Sequence, residues 1–428
     1  MNRSLALFLL LTGVSLAAQV DAPAPTVTLA VTTDRPDANY EVGETVTFKV
    51  SGRCDSKPVA GEVLCILSKD GWQPQPPRKV ELSADGTATL TGKLDEPGFL
   101  SLRVVQGKAF ALGGAAVSRT KIQASMPLPE DFDAFWAAQK QALGKVPMKF
   151  TLSPVTSRVP TVEIFDLQVD CLGAPVSGYF ARPKATQPKS LPAILTVHGA
   201  GVSSSNLGCA DWAAKQKGML ALDINAHGIP NGKPKEFYAN LAATTLKDYR
   251  NEGRDDREKC YFKGMFLRLM RAIDFLTSQP EWDGKTLIVY GSSQGGFQAI
   301  AAAGLDQRVS FICAGVPAGC DHTGFVVNRI CGWPKLVAMD PQRKPVVASQ
   351  QAARYFDCVN FATRAKCRGA AFTVGYIDTT CPPTSVFAAY NALTIPKTMH
   401  ADTLAGHTNT PQAVKFMVDA ALKHARGE

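Results

Sequence analysis

In the stretch "TLIVYGSSQGGFQAIAAAG", Gly291, Ser293 and Gly295 form a G-x-S-x-G pattern, with a β-branched apolar run before it and an alanine-rich, helix-forming run after it. A turn sharp enough to join that strand directly to that helix leaves no room for side chains two positions either side of its apex, which is why glycine stands there. Such a turn lifts the Ser293 hydroxyl above the sheet at the N-terminus of the helix. There the helix dipole and the N–H of Gln294 face any oxyanion that forms. The chemistry this permits is attack on a carbonyl with a covalent intermediate. The competing reading is a tight structural turn, and Ser292, one residue earlier, is read as structural.

A serine nucleophile needs a base, and the base needs an orienting acid, in the chain order Ser, Asp or Glu, His for a strand-turn-helix serine. Of six histidines, three follow Ser293 closely enough to the C-terminus to be considered: His400, His407 and His424. His407, in the loop "LAGHTNTP" just before a terminal helix, is placed as an accessible base should be. His400 reads as the end of a short strand, and His424 as a solvated residue of the charged C-terminal helix. Asp378 ends the apolar run "AAFTVGYID" before "TTCPP" turns into a helix, so it can receive the imidazole N–H; the alternative is a turn or N-cap aspartate. The loop after "AILTV" offers the Ala200 N–H as second oxyanion donor, with His198 and Gly199 shaping it. Asp223, Asn225 and His227, in "DINAHGIPNG", are candidates to line the pocket at the same rim, with local turn bonding as the competing role.

These residues need a scaffold. From about Pro129 onward, near-continuous apolar runs ("AILTVHG", "MLALDIN", "TLIVYG", "SFICAGV", "AAFTVGYID") alternate with helical stretches, which predicts a mainly parallel sheet covered on both faces. A helix is expected in "MPLPEDFDAFWAAQKQALGKV", with Phe132, Phe135, Trp136 and Leu143 on one side. Before it, residues 23–125 alternate apolar and polar positions in short, turn-separated runs: about seven strands of an immunoglobulin-like sandwich. The expected organisation is therefore a signal at 1–18, a β-sandwich at 23–125 and an α/β catalytic domain at 126–428.

The chain has 428 residues, 45% of them hydrophobic and 19% charged, which sets it among globular proteins with room for two or three domains. Its opening, "MNRSLALFLLLTGVSLAA", has a basic residue, a short apolar run and small residues at Ala17 and Ala18, the pattern of a secretory signal. No later run is apolar for long enough to span a membrane. Export favours paired thiols among the eleven cysteines, and nearness in sequence puts forward Cys54 with Cys65, Cys320 with Cys331 and Cys358 with Cys367. There is no CxxC pair or zinc spacing, so no metal is expected. The net charge of +9 is scattered and does not mark a nucleic-acid surface.

Together "PEDFDAFW", "AILTVHGAG", "DGKTLIVYGSSQGGFQAIAAAGLDQRV", "VGYIDTTCPPTSVFAAYNAL" and the late "GH" resemble the acetyl xylan esterase and cephalosporin C deacetylase family of α/β-hydrolases, over roughly Pro129 to the C-terminus. The resemblance implies Ser293 as nucleophile, Asp378 as acid, His407 as base, Gln294 and Ala200 N–H groups as oxyanion donors, and no cofactor. It implies an esterase for short acyl esters of carbohydrates, with an acetylated carbohydrate as partner and a homo-oligomer left open; the opening signal adds a secreted or periplasmic location, and the apolar and charge patterns add no membrane span and no nucleic acid. The chain departs from the family at three places: Asn225, Ala226 and His227 replace an Arg-Gly-Gln segment, Thr408 replaces an acidic residue, and Ala200 replaces an aromatic one. Two other readings stand beside it, a serine peptidase of the prolyl oligopeptidase type and a binding protein with an inactive hydrolase fold.

Overall fold

The computed structural model describes residues 26–216 and 218–428. The apolar run read as an export signal lies outside them. Strict alternation along the first strands makes two sheets that each bury one face. Strands β1 (Val27–Thr33), β2 (Asn39–Tyr40), β3 (Val46–Cys54), β4 (Lys57–Pro58), β5 (Gly61–Lys69), β6 (Arg78–Leu82), β7 (Thr87–Gly92), β8 (Gly98–Gln106) and β9 (Ala109–Val117) form a four-stranded sheet, β1-β3-β4 with β7 on β3, and a five-stranded one, β2-β9-β8-β5-β6. Val46, Phe48 and Val50 of the first sheet meet Val63, Leu67, Leu102 and Val104 of the second in one buried cluster. Among the described residues nine strands stand where about seven are expected, because β2 and β4 are two-residue pairings too short to read from alternation.

The expected sheet follows as β10 (Phe150–Val155), β11 (Val162–Val169), β12 (Val176–Pro183), β13 (Leu191–Val197), β14 (Leu220–Ile224), β15 (Trp282–Ser292), β16 (Phe311–Gly315), β17 (Ala370–Gly375) and β18 (Lys397–Asp402), in the order β10-β11-β12-β14-β13-β15-β16-β17-β18. The first four strands pair antiparallel, and from β14 across to β18 every pairing is parallel. Helices α1 (Phe132–Gly144), α2 (Cys209–Ala213), α3 (Lys235–Ala243), α4 (Tyr261–Ser278), α5 (Gln294–Leu305), α6 (Val347–Ala353), α7 (Cys358–Ala362), α8 (Pro383–Ala392) and α9 (Pro411–Ala425) complete it. The sheet is buried on both faces. Alternate β13 residues Ala193, Leu195 and Val197 join a large cluster with α1, α4, α5, α7 and α8, while Ile194 joins a smaller one with α2 and α9. Phe132, Phe135, Trp136 and Leu143 are the buried face of α1, as their spacing predicts.

The sandwich is not tethered loosely. Phe99 packs edge-on against Tyr376 with ring centroids 5.0 Å apart and lies 5.6 Å from Phe387. Ala38, Phe99, Ala116 and Ile122 of the N-terminal part belong to the same buried cluster as the helices that cover the sheet.

Two expectations are overturned. All eleven cysteines are free thiols. Cys54 ends β3 in one sheet while Cys65 faces the core from the other; Cys320 and Cys358 both donate to the carbonyl of Ala318, Cys331 donates to that of His322, and Cys367 is buried apart. His424 is not solvated: it is 9% exposed, stacks on Phe311 at 4.7 Å and bonds Ser310 Oγ at 2.9 Å. It lies on the inner face of an amphipathic α9 that buries Ala413, Met417 and Ala421 as well. Among the described residues no helix is long and apolar enough to cross a membrane.

Candidate active site

Strand β15 runs into α5 through Ser293 itself, whose φ of 57° and ψ of −121° put it in a region that L side chains avoid. The flanking glycines are required by contact. A Cβ on Gly291 would come within 2.5 Å of the Gly295 backbone, and one on Gly295 within 2.2 Å of the Val197 carbonyl. The strain is held by main-chain bonds, Ser293 N–H to Gly315 at 2.8 Å and Ala318 N–H to Ser293 at 3.0 Å.

The two other candidates converge on this hydroxyl. His407 Nε2 lies 2.9 Å from Ser293 Oγ, and its Nδ1 lies 2.8 Å from Asp378 Oδ2. The other oxygen of Asp378 accepts the N–H groups of Thr380 and Cys381, both at 2.8 Å. Asp378 is 2% exposed, whereas about a quarter of the His407 side chain reaches solvent. A buried, doubly bonded carboxylate can hold an imidazole in one orientation, and a half-open imidazole can exchange protons with a substrate. The Cys381 thiol stands near both, within the 4.8 Å that would let these three side chains hold a cation. The Asp378 oxygens are already taken by His407 and the two N–H groups.

The loop carrying Ala200 is anchored on both sides of it. His198 Nδ1 contacts the Gly199 carbonyl at 2.6 Å, and the Tyr249 hydroxyl accepts from Gly201 N–H at 3.4 Å while donating to Gln294 Oε1 at 2.8 Å. Among the described residues neither the Ala200 nor the Gln294 N–H is occupied by another protein group. The Gln294 N–H follows the elbow serine directly at the start of α5, and a Cβ on Gly199, next to Ala200, would lie 3.7 Å from Ser293 Cβ.

The rim residues hold the loop from below. Asn225 is fully buried, donating to Ile229 and Asn231 and accepting the N–H groups of His227 and Ile229. His227 is 5% exposed, its ring donating through Nε2 to the Gly201 carbonyl at 3.0 Å and accepting the Tyr261 hydroxyl at Nδ1 at 2.7 Å. Burial holds its pKa down to about 4, so it is neutral and can serve as both donor and acceptor. Asp223 is spent on the Thr196 hydroxyl and the Asn206 N–H. The cavity of about 320 Å³ beside the elbow is lined by His198, Gly199, Asn206, Trp212 and Asp223, without Asn225 or His227. Ser292, as expected, is structural, accepting from Asn409 Nδ2 at 2.9 Å. Asn409 also bonds Thr373, so it ties the His407 loop to β17 and the elbow at once.

The profile of acetyl xylan esterases (AXE1) matches residues 116–425. The chain belongs to the acetyl xylan esterase family. It is thus a carboxylic ester hydrolase of a family of carbohydrate acetyl esterases. It is 32% identical over 368 residues to acetyl esterase Axe7A of Xylanibacter ruminicola, covering 84% of this chain and 82% of that one. Among solved structures it resembles the acetyl xylan esterase from Paenibacillus sp. R4, with a TM-score of 0.62, 28% identity and coverage of 71% of this chain and 98% of the other. Acetyl xylan esterase 1 of Thermoanaerobacterium sp. JW/SL YS485 gives 0.60, 25%, 70% and 97%. These family structures support the α/β-hydrolase reading of the sheet. Tyr249 and Asn409 are residues that sequence reading missed: one sits in a short turn 45 positions before its partner Gln294, the other in a polar loop with no spacing rule.

Proposed function

We propose that this esterase is exported and removes acetyl groups from carbohydrates, acetylated xylan fragments in particular, through Ser293, His407 and Asp378. The observation that carries the reading is the unbroken line from Ser293 Oγ through His407 to Asp378, at 2.9 and 2.8 Å. His407 Nε2 takes the Ser293 proton as Oγ attacks the acetyl carbonyl, and Asp378 supports the imidazolium. The Ala200 and Gln294 N–H groups receive the oxyanion. His407 then protonates the departing sugar oxygen, and deprotonates a water that releases acetate from Ser293.

The opening apolar run is taken as an export signal removed near Ala18, and residues 23–125 as an immunoglobulin-like accessory domain docked on a catalytic domain from 126 to 428. Acetate release from acetylated xylo-oligosaccharides, acetylated monosaccharides and a peptide amide tests the substrate class. Release from the sugars and none from the amide is expected. Cleavage of the amide alone would turn the reading toward a peptidase.

A further inference from the structure

The turn that carries Asp378 is gripped on both sides by the N-terminal sandwich. Upstream, Tyr376 is fully buried against Phe99, and its hydroxyl accepts from Arg119 and donates to Asn39 Oδ1 at 3.2 Å. The main chain of β9 comes so close that a Cβ on Gly114 would lie 2.3 Å from the Tyr376 carbonyl. Downstream, the turn ends in α8, whose capping position is Pro382, a residue with no side chain able to accept from the helix. The acceptor comes from the sandwich: Asp70 Oδ2 receives the Thr384 N–H at 3.0 Å. Asp70 sits at φ 53° in the turn after β5, is 7% exposed, and lines a cavity of about 280 Å³ together with Arg103, Ile377 and Asp378.

We propose that Asp70 is a positioning residue for the triad: by capping α8 from the sandwich it fixes the 378–383 turn and thereby the Asp378 carboxylate that orients His407. This rests on the triad reading above. Asp70 lies outside residues 116–425, the part matched by the family profile, so this support is an addition to the family's core. Burial, and then the neighbouring charge of Asp378, hold the Asp70 carboxyl up at about 7 against the pull of the Thr384 N–H. An amide side chain is therefore a close substitute for it.

Asp70→Gly and Asp70→Asn test this, since both residues accept a positive φ and leave the turn after β5 intact. The glycine variant should lose about tenfold in kcat on a small acetyl ester with KM within twofold, as loss of a cap allows. The acid limb of its kcat/KM profile should move to lower pH, because a displaced Asp378 supports the His407 imidazolium less well. The asparagine variant, which keeps an acceptor, should restore kcat and the acid limb. Should Asp70→Gly not fold, Asp70→Glu replaces it: its extra methylene moves the acceptor off the Thr384 N–H, and a lowered kcat is again expected. Wild-type kcat and acid limb in the glycine or glutamate variant overturn the proposal, as does an asparagine variant as impaired as glycine. Hydrolysis that persists in Ser293→Ala overturns instead the triad reading beneath it, which separates the two failures.

Discussion

An imidazole between Ser293 and Asp378 can act as a base in only one tautomer, with the proton on Nδ1 and the lone pair of Nε2 toward Oγ. Asp378→Asn offers an N–H where that proton must be accepted, so kcat should fall by roughly 10³–10⁴ with little change in KM, measured on a soluble acetyl ester. Asn409→Ala removes two bonds that hold the His407 loop to β17 and to the elbow. At about 1 kcal/mol per bond it should cost several-fold to thirty-fold in kcat. His227 makes a pH-dependent contribution whose sign follows from its depressed pKa. The fold favours the neutral ring, so its contribution is complete above about 6.5 and is lost as pH falls toward about 4. Denaturant titrations at pH 6.5 and 4.5 should show His227→Gln losing less stability than wild type across that interval, by roughly 2 kcal/mol. The meeting of Ser293, Asp378 and His407 was legible because each stands at an element boundary with its own signature. Asn225 and His227 were expected to line the pocket but are buried and bonded inward, since a single sequence does not tell which side of a turn is buried.

At the scale of elements, the elbow depends on β13, β15 and α5 approaching more closely than side chains allow. Gly295→Ala would drive a Cβ into the Val197 carbonyl, which cannot move without distorting β13. A loss of about 3 kcal/mol or more and near-complete loss of activity are expected, read by thermal melting and ester hydrolysis. The parallel strands β13 to β17 were legible as apolar runs between helices. The antiparallel β10 to β12 were less so, because β10 is largely exposed and carries Pro154, with weak alternation. The cap of α8 was invisible for a different reason: its acceptor lies 314 positions away in another sheet.

For the whole molecule, the sandwich and the α/β part share one buried cluster, so the N-terminal part is a structural partner of the turn that carries Asp378 and not a spacer. Composition and alternation announced its strands, yet nothing in them specified where it docks. Cysteine spacing misled, because pairing depends on which sheet each thiol faces. Thiol titration of the denatured protein without reductant should count eleven, and the melting temperature should not respond to reductant; fewer would mean that bridges form after all. The central claim is that Ser293 is acylated by the substrate with His407 as base. It is tested most directly by intact-mass analysis of wild type and Ser293→Ala, quenched during turnover of an acetylated xylo-oligosaccharide. The account predicts one added acetyl group in wild type, mapped to the peptide of Ser293, and none in the variant, whose acetate release is abolished. Acetate release by the variant at the wild-type rate, or an acetyl group on another side chain, would contradict it.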